Sequence, residues 1–120
     1  MFTRIVSMQL KPNSSGEFSE LFEKEVLPLL RKQQGFRDEM LFVDPGGPEL
    51  VVISLWESKE LAESYSRTAY PEVLKIFTKV LDGTPKVRSF RLSHSTFYKT
   101  AIAAAASQSS ISTQTPGVGG

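Results

Sequence analysis

Between Phe2 and Leu10 the residues fall on two alternating faces, the two-residue period of a strand. Phe2, Arg4, Val6, Met8 and Leu10 share one face; Thr3, Ile5, Ser7 and Gln9 share the other. After the turn Pro12-Asn13-Ser14-Ser15-Gly16, which offers helix N-caps, the period changes. Phe18, Leu21, Phe22, Val26, Leu29 and Leu30 recur at helical spacing. Pro28 lies inside that run; lacking an N–H and crowding the turn before it, it predicts a kink or split near Leu27. Gly35 takes the C′ position that ends the helix.

Phe36–Val43 reads as a second strand and Asp44–Pro48 as a hairpin turn. Leu50–Trp56 is a third strand, apolar on both faces and therefore central. Ser58 caps a helix whose stripe is Leu61, Ala62, Tyr65 and Ala69. Tyr70-Pro71 separates it from a further helix carrying Val73, Leu74, Phe77, Val80 and Leu81. Asp82–Pro85 stops that helix, and Lys86–Tyr98 is expected as one long fourth strand.

The order βαββαβ, with right-handed crossovers, predicts a ferredoxin-like α+β fold: an antiparallel sheet in the order 4-1-3-2 with its helices on one face. The other face would carry Ile5, Val51, Ile53 and Leu55 uncovered, and a second copy of the chain is the simplest cover. The domain is expected to span residues 1–99. Residues 101–120 have no charge, no aromatic and few large apolar groups, so the tail from 100 to 120 is expected to be disordered.

Composition narrows the function. A net charge of +1 supplies no field for nucleic acid or a membrane surface. The absence of cysteine removes disulfides and thiolate metal sites, and a lone histidine makes a zinc or iron site improbable. No phosphate loop or nucleophile elbow occurs. The third strand lacks the exposed aromatics by which RNA-recognition modules of this fold stack bases. No apolar run approaches a membrane span and no secretory leader is visible, so a cytoplasmic location is expected.

The segment Leu50–Pro71 concentrates the candidate chemistry. Its strand delivers Trp56 to the mouth of a helix carrying Tyr65, with Tyr70 at the break, so an aromatic-walled pocket is expected. Trp56, Arg4, Val6, Met8, Phe22 and Phe77 are the expected lining. Arg4 shares a face with Val6 and Met8, and a buried arginine there would need an anion; the plainer alternative is an edge arginine reaching for water. Tyr65 could bond a substrate oxygen or simply be a core tyrosine. His94, the only histidine, belongs to the one residue type that ordinarily titrates near neutral pH, which makes it the first candidate base. The plainer reading of His94 is a structural or interface residue.

The Leu55-Trp56-Glu57-Ser58 strand end, the Tyr70–Leu74 segment YPEVL and Gly35-Phe36 resemble the antibiotic biosynthesis monooxygenase family over roughly residues 1–98. That resemblance implies a homodimeric α/β barrel with a pocket between sheet and helices. It implies oxidation of a phenol or quinol by dioxygen with no cofactor, Tyr65, Tyr70 and His94 being the catalytic candidates. The heme-degrading branch uses an asparagine, a tryptophan and a histidine where this chain has Val6, Tyr65 and Lys75, so heme degradation is not expected. The alternative is a dimer of the same fold that binds a small aromatic or apolar ligand without chemistry; a third possibility is a dimer whose pocket is filled by its own aromatic side chains.

Overall fold

The computed structural model describes residues 1–98; the tail expected at 100–120 and the boundary drawn at residue 99 lie outside the described residues. Strands β1 (Phe2–Gln9), β2 (Phe36–Val43), β3 (Glu49–Trp56) and β4 (Lys86–Arg91) form one antiparallel sheet. Its order is β2-β3-β1-β4, the ferredoxin-like order expected, read from the other edge.

The first helical stretch has three parts: α1 (Ser15–Leu21), a π-helical turn (Phe22–Val26) and α2 (Leu27–Arg31). The Leu27 N–H donates to the Phe22 carbonyl, five residues back. Pro28, next in line, has no N–H to give, so the irregularity expected of this proline is absorbed as one wide turn just before it. The second stretch is α3 (Lys59–Thr68) and α4 (Tyr70–Phe77), divided at Ala69. The Ser58 hydroxyl accepts the Leu61 N–H at 3.2 Å, the N-cap its position predicts.

All helices pack on one face of the sheet. Val6, Met8 and Val52 meet Phe18, Val26 and Leu30 there, with Phe18 stacked on Phe77 at 4.6 Å between ring centroids. Each such side chain contributes about 1.5–3 kcal/mol by leaving water. Gly35 joins this layer to β2 with φ of +85°, and its carbonyl accepts the Glu57 N–H at 2.8 Å.

The fourth strand is shorter than expected, ending at Arg91 rather than Tyr98. Arg91 faces Phe2, the first paired residue of β1, and the last bond of this ladder is from the Leu92 N–H to the Met1 carbonyl at 3.0 Å. The chain instead returns from Leu92 to Tyr98, where the Tyr98 hydroxyl donates to the Asp38 carboxylate on the opposite edge strand. Asp38 ends the register row Phe90–Thr3–Leu55–Asp38 on the helix-free face, in which Thr3 and Leu55 are buried. The rest of that face stays open. Met40, Phe42 and Phe90 are 36%, 50% and 42% exposed on it, around half-buried Ile5, Val51 and Ile53.

Candidate functional site

The site lies between the sheet and the helices. A polar row crosses the sheet on the helix side: Glu39 on β2 pairs with Ser54 on β3, Ser54 with Arg4 on β1, and Arg4 with Ser89 on β4. Apolar neighbours surround this row. Arg4 is only 3% exposed, and Val6 and Met8, on the same face of β1, are buried beside it.

Two aromatic rings hold the guanidinium. The Arg4 Cζ lies 4.4 Å from the Tyr70 ring centroid and 5.1 Å from that of Tyr65. Such desolvated cation–π contacts contribute about 2 kcal/mol, less than the several kcal/mol that a buried cation costs. One guanidinium nitrogen has no hydrogen-bond partner among the described residues. At the other end of the row, the buried Oε1 of Glu39 also lacks one. Both atoms therefore retain unused hydrogen-bonding capacity in a low-dielectric setting.

Arg4 and Glu39 line the same cavity, of about 30 Å³, together with Ser54, Tyr65, Tyr70 and apolar residues that include Leu74. That volume admits about two waters at most. Two of its walls, Phe22 and Val26, come from the π turn, so the extra residue of that turn is spent against the cavity.

Charge and burial set the titration of the site. Burial, with the neighbouring Asp38 carboxylate, pushes Glu39 up from the ordinary 4.5 to about 7, while Arg31 pulls it down. Burial also raises the Tyr65 and Tyr70 phenols, against the pull of the Arg4 charge, so both keep their protons at neutral pH and can donate.

Of the side chains expected from the sequence, Arg4, Val6, Met8, Phe22, Phe77, Tyr65 and Tyr70 do come together around this cavity. Trp56 does not line it. Fully buried, Trp56 stands behind Tyr65, ring on ring at 4.7 Å, with Phe36 edge-on at 5.6 Å, and its indole N–H donates to the Ser54 hydroxyl at 2.9 Å. It braces the wall rather than forming it.

His94 is likewise elsewhere. It is exposed, beyond the end of β4, with Nδ1 2.8 Å from the Ser93 hydroxyl. Its alternation with Phe90 would direct it to the helix-free face even in a longer strand, since Phe90 pairs with Thr3, opposite in facing to Arg4.

Glu39 is the site residue that the sequence reading missed. It alternates with Leu41 and Val43, and the register puts its carboxylate on the side of β2 that faces the helices; alternation alone does not say which side is covered. Among the described residues, no group of three or more His, Cys, Asp or Glu side chains could hold a metal ion, and no helix is long and apolar enough to cross a membrane.

Solved structures share this fold. A monooxygenase from the gene ActVA-Orf6 of Streptomyces coelicolor, in complex with nanaomycin D, superposes with a TM-score of 0.67 at 19% identity, over 78% of this chain and 88% of that one. SnoaB, a cofactor-independent oxygenase from Streptomyces nogalater, gives 0.65 at 13% identity, over 79% and 95%. A protein of unknown function from Nitrosomonas europaea gives 0.67 at 13% identity, over 78% and 90%. No curated protein matches the chain. The sequence profile of the antibiotic biosynthesis monooxygenase family matches residues 1–73, from β1 to the start of α4, and the chain belongs to that family.

Proposed function

We propose that this protein is a cofactor-independent monooxygenase that oxidises a small aromatic of the quinol or anthrone type in the cavity between sheet and helices. The observation that carries the reading is a buried guanidinium, flanked by two protonated tyrosines, facing a cavity in a chain of this family. The nanaomycin D complex of the Streptomyces coelicolor enzyme supports an aromatic substrate, and SnoaB supports chemistry without a cofactor. In this reaction the substrate supplies all four electrons that reduce dioxygen. It loses two hydrogens and gains one oxygen atom as a carbonyl, and the second atom of dioxygen leaves as water.

A cavity of about 30 Å³ holds no such ring system. Entry therefore requires displacement of side chains, and the half-buried lining residues are Glu39 on β2 and Tyr70 and Leu74 on α4. The working form in this reading is a homodimer in the cytoplasm, with the open apolar face of the sheet as the contact. Met40, Phe42 and Phe90 would be its centre.

Dioxygen uptake by the chelator-treated protein, with a panel of quinols and anthrones, tests the reading. Uptake that falls in Tyr65→Phe or Arg4→Met assigns the oxygenase to this cavity. Silence from the wild type, with a melting temperature raised by the same compounds, would replace the oxygenase by a ligand-binding dimer.

A further inference from the structure

The row Glu39–Ser54–Arg4 sets a carboxylate and a guanidinium on either side of one small cavity, each with an atom that no other described residue engages. Two strand spacings separate their Cα atoms by about 10 Å. Glutamate and arginine side chains reach inward from those positions, and both line the same space. Among the described residues they form no ion pair with each other. An oxygen atom placed between them would meet a proton acceptor on one side and a cation on the other.

We propose that Glu39 is the catalytic base of this site, taking the proton of a phenolic or enolic hydroxyl on the substrate while Arg4 holds the oxyanion. The O–H bond of the substrate breaks, an O–H bond forms on Glu39 Oε1, and the electron pair stays on the substrate oxygen. The inference rests on the proposed aromatic-binding role of the cavity and narrows its substrates to those with an ionisable hydroxyl. A methyl ether of the same ring system would not be activated.

Several groups tune this pair. Burial does most to raise the proton affinity of Glu39, Asp38 on the same strand adds to it, Arg31 on α2 lowers it, and Tyr65 on α3 couples to it. The combined result is a carboxyl titrating near 7, where a base both accepts and returns a proton readily. Arg4 on its far side borders a recess of about 60 Å³ that includes Glu63, but among the described residues it makes no ion pair there.

The test separates the proton from the oxygen chemistry. The probe is 2-naphthol, which is un-ionised in water at a pH of about 8 and whose anion absorbs at longer wavelength; that pH leaves Glu39 ionised in the free protein. The probe is titrated anaerobically into the full chain, with the anion band and the protons released to buffer both recorded. The wild type is expected to bind the anion and release no proton, because Glu39 keeps it. Glu39→Gln, close in shape, is expected to show the anion with about one proton released per site. Arg4→Met should lose the band and Arg4→Lys should retain part of it.

Neutral naphthol on the wild type, no binding at all, or equal proton release from wild type and Glu39→Gln would each overturn the proposal. In a separate aerobic assay, turnover of an active quinol or anthrone should fall at least about 100-fold in Glu39→Gln. Undiminished turnover in that variant would remove Glu39 and keep the oxygenase. Expected proton behaviour with no oxygen uptake from any substrate would keep the acid–base pair and remove the oxygenase.

Discussion

Glu39 and Arg4 lie in one register row, with Ser54 of the intervening strand between them, so the acidic and basic ends of the candidate site are fixed by sheet pairing rather than by loops. A strand ladder holds such a spacing tightly, because sliding either edge of the row by one residue would carry its group to the opposite face.

Stability should fall as pH rises through neutrality. Glu39 binds its proton more tightly when folded, titrating near 7 instead of 4.5. Below about pH 4.5 both folded and unfolded chains carry that proton, and nothing is lost. Between there and about pH 7 the unfolded chain gives up the proton first, which costs the fold on the order of 1–3 kcal/mol. Thermal melts of wild type and Glu39→Gln across this range check the point: the wild-type curve should decline relative to the variant's and then run parallel to it.

Trp56 is the only tryptophan and lies one ring behind the cavity, so its fluorescence should report on the site. Emission characteristic of a buried indole is expected, changing when a ligand shifts Tyr65. Trp56→Ala should cost roughly 3–5 kcal/mol in denaturant unfolding, since it removes a fully buried ring and the bond to Ser54.

Much of this arrangement was legible in the sequence because it follows from short periods. The alternation in β1 placed Arg4 with Val6 and Met8, and Ser58 and Pro71 marked helix starts that the structure contains. What was not legible depended on partners distant in sequence. The alternation through Phe90, Leu92 and His94 continues past the point where β1 stops offering hydrogen bonds, so the strand read as longer than it is. Trp56 at a strand end reads as a pocket wall, but Phe36 and Tyr65 close over it and leave it one ring behind the cavity. Glu39 sits in a strand, Phe36–Val43, whose two faces are equally mixed. Its burial is decided by the helices above it, not by its neighbours in the chain.

Gly35→Ala should be destabilising by roughly 2–4 kcal/mol, through a positive φ that alanine resists and a clash with Leu61. An added Cβ would lie 2.5 Å from Leu61 Cδ1. Chemical denaturation checks this, and Leu61→Ala in the same chain should recover part of the loss.

The proposed dimer makes a sharp expectation for the open face. Phe42→Asp and Phe90→Asp alter side chains that are half exposed in the single chain, so each should leave the fold intact. Sedimentation velocity should show a wild-type dimer and monomeric variants with unchanged far-ultraviolet circular dichroism. A wild type that sediments as a monomer would remove the dimer from the functional reading.

Asp38 and Glu39 are consecutive residues facing opposite sides of a sheet one residue thick. Asp38, bonded to the Tyr98 hydroxyl, looks toward the face where a second copy would dock, and its charge also raises the proton affinity of Glu39. Any event that dries or neutralises Asp38 on the outer face is therefore felt as a change of acidity on the inner one. In the proposed dimer, thermodynamic reciprocity requires that loading a proton onto Glu39 would change the strength of association by the same factor, so that assembly and acid–base readiness would form a single linked equilibrium.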